Sequence, residues 1–115
     1  MGLIHVEIRL AGFDPWQELA QWSGHEAAAA VFVGRVRSTA MDGRPLQALE
    51  LEHYPGLCER QITRMAVQLQ QEHEVGAILV LHRVGRLIPG EPIVLVAVQA
   101  STSPPRAWSV VHRAP

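Results

Sequence analysis

Apolar and polar positions along the chain follow two different periods. Ile4, Val6, Ile8 and Leu10 alternate with His5, Glu7 and Arg9, the period of two that sets one face of a strand against a core and the other in water. Asp14-Pro15 then opens a short helix: aspartate suits the N-cap, proline the first helical position, and Gln17 stands where a capping box closes. Trp16, Leu19 and Ala20 form its inward stripe, with Trp22 at the edge. Residues 27–36 are apolar along most of their length, which predicts a central strand covered on both faces. A polar loop over 38–44, containing Asp42-Gly43, leads to a third strand over 46–54, and the two strands are expected to form a hairpin with a long, mobile tip.

Pro55 suits the first turn of a second helix, in which Ile62, Met65, Ala66 and Leu69 recur at helical spacing up to an end near 74–76. Residues 77–84 and 93–100 are two more apolar strands, separated by a turn holding Pro89-Gly90-Glu91-Pro92. These elements predict an α+β fold, a mainly antiparallel sheet with helices packed on one side. The apolar strands 77–84 and 93–100 leave more hydrophobic edge than so small a domain covers, which predicts a symmetric homodimer. At 115 residues the chain supports one core, assigned to a single domain over 1–100. Residues 101–115 carry consecutive prolines and no helical period, and read as an irregular, mobile tail.

Composition narrows the function classes. A formal net charge of −1 supplies no field to hold a polyanion, so nucleic acid is not an expected partner. Cys58 is the only cysteine, which excludes an internal disulfide or a cysteine-rich zinc site and fits a reducing compartment. No charged leader precedes an apolar run, and no stretch approaches the ~20 apolar residues of a membrane span. A membrane partner is therefore not expected, and the expected address is cytoplasmic. Glu72-His73-Glu74 could pass for a metal cluster, but adjacent helical residues point apart, and no metal site is assigned. Glycine-rich phosphate loops, nucleophile elbows and cysteine-histidine-acid arrangements are all missing.

The strongest local chemistry lies at Gly34-Arg35-Val36-Arg37. On a strand Arg35 and Arg37 point to the same face, and each guanidinium fork can hold two oxygens of a phosphate or carboxylate. From pattern alone the alternative is a solvated strand end that keeps the hairpin soluble. His53 and Tyr54 sit where a strand meets a helix, and read as fixing the helix entry. His82 reads as a hydrogen-bonded core residue of an apolar strand.

Three motifs stand in order: Gly34-Arg35-Val36-Arg37, then Leu51-Glu52-His53-Tyr54-Pro55-Gly56, then His82-Arg83-Val84-Gly85 running on to Pro89-Gly90-Glu91. Over about residues 27–98 the chain thereby resembles the large, MoaE-type subunit of molybdopterin synthase. That resemblance implies an α/β hammerhead fold and a sulfurtransferase that forms a homodimer. Each copy would accept the Gly-Gly thiocarboxylate tail of a small ubiquitin-like, MoaD-type subunit, which delivers sulfur to cyclic pyranopterin monophosphate to form molybdopterin. It implies no metal or organic cofactor. It also implies that Phe32, Arg35, Val36 and Arg37 bind the pterin phosphate.

The family assigns catalysis to downstream lysines and a His-Arg pair. All ten basic residues of this chain are arginine. Counted without gaps from Pro89-Gly90, the His-Arg pair falls at Thr102 and Ser103. No catalytic residue is therefore assigned, and the chain is expected to be inactive as given. One origin is a frame shift after about Ala100, since the codons ACA TCG CC for Thr102, Ser103 and the start of Pro104 spell His-Arg when read one base later. Two classes remain: the catalytic subunit in truncated or shifted form, or a non-catalytic relative that only binds a ubiquitin-like or anionic partner.

Overall fold

The computed structural model describes residues 3–22, 27–73 and 75–100. Its elements in order are β1 (Leu3–Arg9), α1 (Pro15–Gln21), β2 (Ala28–Arg35), β3 (Leu49–Leu51), α2 (Leu57–His73), β4 (Ala77–Arg83), β5 (Gly85–Leu87) and β6 (Pro92–Ala100). A four-stranded sheet runs β1-β4-β6-β2, and β3 and β5 form a separate two-stranded sheet. β1 is parallel to β4, while β4-β6, β6-β2 and β3-β5 are antiparallel. The α+β class and the mainly antiparallel sheet are those the sequence predicts. The expected tail over 101–115 lies outside the described residues, among which no helix is long and apolar enough to cross a membrane.

Alternation along the two central strands divides the core. Ile78, Val80, Val94, Val96 and Val98 point to one face, where Ala66 and Leu69 of α2 cover them. Leu79, Leu81, Leu95 and Ala97 point to the other, where Phe13, Leu19, Trp22 and Val33 pack. A strand covered on both faces must be apolar at every position, which explains the unbroken runs of β4 and β6. It also places the helices on opposite faces, where both were expected on one side: α2 covers the face of Val80 and Val96, and the α1 stripe fills the face that α2 leaves open.

α1 begins as its sequence dictates. The Asp14 carboxylate accepts the backbone N–H of Trp16 at 3.0 Å and of Gln17 at 3.4 Å, the N-cap arrangement. The inward stripe differs from expectation, because Trp16 is 58% exposed while Leu19 and Trp22 face the core. Pro15 is buried, and positions 15, 19 and 22 share one helical face at i, i+4, i+7, whereas 16 and 20 lie a step around it.

Three strand expectations need correction. Among the described residues β2 is not central but an edge strand, bonded only to β6, with Val31 38% and Phe32 44% exposed. An apolar run states that side chains can be buried, not how many neighbours the strand finds. The expected pairing of β2 with β3 is confined to the loop tip, where Thr39 bridges Pro45, Ala40 N–H donates to Arg44 O at 2.8 Å and Leu46 N–H to Ser38 O at 2.9 Å. Beyond it the arms part: β2 joins β6 and the short β3 joins β5, an element with no signal of its own in the sequence. The excess apolar edge attributed to 77–84 and 93–100 is buried in the sheet centre, and the open apolar edge belongs to β2. Pro55 stands in the turn before α2, where Gly56 adopts a φ of +84° and its N–H donates to Glu59 Oε1 at 2.9 Å.

Candidate functional site

At the end of β2 the ladder with β6 slips between Gly34 and Arg35. Such an irregularity re-aims the side chains that follow. Val36 turns inward and is 4% exposed, while Arg35 and Arg37 on either side of it are exposed. The Val36 backbone is held at both polar groups: its N–H donates to Glu91 O and its carbonyl accepts the Gly90 N–H, each at 2.9 Å. Of the four residues expected to bind, Arg35 and Arg37 can touch a ligand with charged groups and Phe32 with an exposed ring. Val36 contributes through its backbone.

Gly34 is where Phe32 and the core approach each other. An ideal Cβ on Gly34 would stand 3.0 Å from Val94 Cγ1 and 3.4 Å from Phe32 Cε2. The missing side chain lets the Phe32 ring lie along the strand toward the arginines, over a neighbour that cannot yield because Val94 is buried.

The arginines divide by partner. Arg9 is bound to Glu7 and Glu18, Arg44 to Asp42, and Arg83 to Glu91, while Arg86 reaches Glu50 at 3.6 Å. Arg35 and Arg37 have no acidic partner or hydrogen bond among the described residues, and the same holds for Arg60 and Arg64 on the outer side of α2. Arg35 and Arg37 thus present two guanidinium groups without a counter-charge among the described residues, on a backbone held at Val36, and groups of this kind can engage the oxygens of an anion.

The other histidine and tyrosine positions behave largely as structural groups. The Tyr54 carbonyl accepts the N–H of Leu57 at 3.1 Å, so this residue sets the start of α2 through its backbone. Its hydroxyl donates to Glu52, which pushes the phenol pKa up. His82 Nδ1 lies 2.9 Å from Arg83 O, consistent with the structural role expected of it. His53 is half-buried, and its Nε2 has no hydrogen-bond partner among the described residues.

A cavity of about 210 Å³, lined by Glu52, Cys58, Gln61 and His82 with apolar Ile8 and Ile62, opens between α2 and the carboxyl ends of β1 and β4. Register puts this cavity and the arginines at the same end of the sheet, since His82 pairs with Val94 and Arg35 with Pro92. The cavity was not foreseen from sequence. Cys58 and Gln61 read as ordinary helix positions, and only the placement of β3 over the sheet end makes them a wall.

A family model described as MoaE protein matches residues 11–113. The molybdopterin synthase catalytic subunit of Pseudomonas aeruginosa is 43% identical over 95 residues, covering 79% of this chain; the chain spans 62% of that protein's length. Among solved structures, a molybdopterin biosynthesis MoaE protein from Burkholderia ambifaria matches at a TM-score of 0.78 and 32% identity, over 97% of this chain and 72% of that one. A complex of subunits 1 and 2 of the molybdopterin-converting factor from Helicobacter pylori matches at 0.70 and 18% identity, over 93% and 72%, a likeness of fold alone.

Proposed function

The chain belongs to the MoaE family, and from that premise we propose that it is the large subunit of a molybdopterin synthase, a sulfurtransferase of molybdenum cofactor biosynthesis. Its substrate is cyclic pyranopterin monophosphate, and its partner is a small ubiquitin-like subunit whose Gly-Gly thiocarboxylate supplies the sulfur. The observation that carries this reading is the pair Arg35 and Arg37, exposed and, among the described residues, without counter-charge at the braced end of β2. Two guanidinium forks match the oxygens of a phosphate monoester, and the exposed Phe32 ring on the same strand offers a flat apolar surface to a pterin. The single cysteine fits a cytoplasmic address, where thiols stay reduced.

In this arrangement Arg35 and Arg37 bind and orient the phosphate, and the backbone around Val36 fixes their spacing. Guanidinium groups act in proteins as fixed cations, not as proton carriers. They neutralise charge on the substrate but do not serve as general acids or bases. The proton transfers and the oxyanion donors of the sulfur transfer must come from other groups, which the family resemblance assigns to lysines and a His-Arg pair. We therefore propose that this polypeptide binds its substrate and partner but turns over slowly.

Arg37→Ala is expected to weaken binding of cyclic pyranopterin monophosphate by about 1.5–3 kcal/mol, the scale of a charged hydrogen bond, with the fold unchanged. Arg37→Lys recovers only part of the loss, because an ammonium cannot engage two oxygens in a fixed plane. Calorimetry that returns equal affinities for wild type and Arg37→Ala would reject the assignment.

The edge of β2, which no other strand among the described residues pairs and where Val31 and Phe32 are exposed, supports the homodimer, since an apolar edge is satisfied by pairing or cover. Sedimentation at micromolar concentration is expected to give twice the monomer mass of 12.7 kDa. A single species at monomer mass would refute it.

A further inference from the structure

The third sequence motif, from His82-Arg83 to Glu91, is left without a role by phosphate binding alone. Arg83 joins three segments: Nε donates to Leu10 O at 3.4 Å, Nη2 to Arg86 O at 3.4 Å, and Nη1 to the Glu91 carboxylate. Its side chain is only 11% exposed, less than that of any other ion-paired arginine among the described residues, so its end of the pair is shielded from solvent. The second Glu91 oxygen accepts the Ile88 N–H at 2.8 Å, and these two bonds hold its pKa below the ordinary carboxylate range, the Ile88 N–H having the larger effect. One side chain thus pins both ends of the 88–91 turn, which Gly90 closes at a φ of +90°.

The backbone of the same turn brackets Val36 through Glu91 O and Gly90 N–H. Between the Arg83 guanidinium and the Val36 peptide there is therefore one ion pair and one rigid turn. Regular pairing of β2 with β6 has already slipped at Gly34/Arg35. Beyond that slip these two hydrogen bonds are what register the chain.

We infer that Arg83 and Glu91 are positioning residues for the anion site: their ion pair fixes the 88–91 turn, the turn fixes Val36, and Val36 fixes the spacing of Arg35 and Arg37. Neither residue is placed against the ligand. The inference rests on the reading of Arg35 and Arg37 as the phosphate-binding pair, and deepens it.

The test uses the full chain, cyclic pyranopterin monophosphate as the probe, calorimetry for affinity and amide hydrogen exchange for the backbone. Glu91→Gln keeps the size of the side chain and an oxygen for the Ile88 N–H, but removes the charge that Arg83 engages. It is expected to weaken binding about tenfold, the scale of one coupled interaction. The Val36 and Gly90 amides exchange faster, while those of Val80 and Val96 in the sheet centre keep wild-type protection. In an Arg35→Ala/Arg37→Ala background the same substitution adds no further loss, because its effect passes through those arginines; a merely destabilising change would add its cost there too. Should Glu91→Gln not fold, Arg83→Gln, which retains a donor for Leu10 O, takes its place. Wild-type affinity in Arg35→Ala/Arg37→Ala overturns the site itself. Loss of binding in that variant, with wild-type affinity or undisturbed Val36 exchange in Glu91→Gln, overturns the positioning role alone.

Discussion

Mixed with a thiocarboxylated small subunit and cyclic pyranopterin monophosphate, the 115-residue polypeptide is expected to form molybdopterin at least about 100-fold more slowly than the Pseudomonas aeruginosa relative. The reason lies in what arginine cannot do. Every basic residue other than histidine is arginine, and a guanidinium is a fixed cation rather than a proton carrier. Sulfur transfer from a thiocarboxylate passes through states in which negative charge grows on oxygen and protons must be moved. Removing one well-placed donor from such a state costs about 10²–10³ in rate. The family resemblance places a His-Arg pair where this chain has Thr102 and Ser103, and lysines where it has none. Phosphate binding is proposed for Arg35 and Arg37 alone, so affinity is expected to survive while rate does not. Product formation is followed by its fluorescent oxidised derivative; a rate equal to the relative's would show that the chemistry belongs to other groups.

Leu95→Ala is expected to destabilise the domain by about 3–5 kcal/mol. Leu95 is 0% exposed in β6, faces Leu81 across the ladder, and lies in the cluster that Phe13, Leu19 and Trp22 close from the α1 side. Both neighbouring strands and the helix side are occupied, so the cavity left by truncation has little freedom to collapse, and the cost sits at the upper end of the range for buried leucine. A domain of this size is stable by roughly 5–15 kcal/mol in total, so the variant loses a large share of its margin. Val31→Ala, on the exposed edge of β2 at 38%, is the control and is expected to cost under about 1 kcal/mol. Unfolding free energies from urea titration that lie within about 1 kcal/mol of each other for the two variants would show that the α1-side core is not packed as described.

The sequence by itself determined the local structure. The cap at Asp14-Pro15, the period of α2, the apolar runs of β4 and β6 and the turn at Pro89-Gly90 depend on residues close along the chain, and each forms as its pattern requires. The arginines at 35 and 37 were also legible, because their chemistry is carried by residue type. What only the tertiary structure decided is which strands meet. An apolar run is equally compatible with the centre of a sheet and with its edge, so the placing of β2 outside β6 had no local signature. The hairpin tip at 38–46 was readable, but the parting of its arms was settled by competition from β6 and β5 for their hydrogen bonds. The same holds for the site. Charge at Arg35 and Arg37 is written in the chain, but their freedom from counter-ions among the described residues is not; the 88–91 turn braces Val36 across more than fifty positions, and Arg83, which anchors that turn at Glu91, also reaches Leu10 across 73 positions. Pairing at that separation is selected by the packing of the whole core, not by any stretch of the chain that takes part in it.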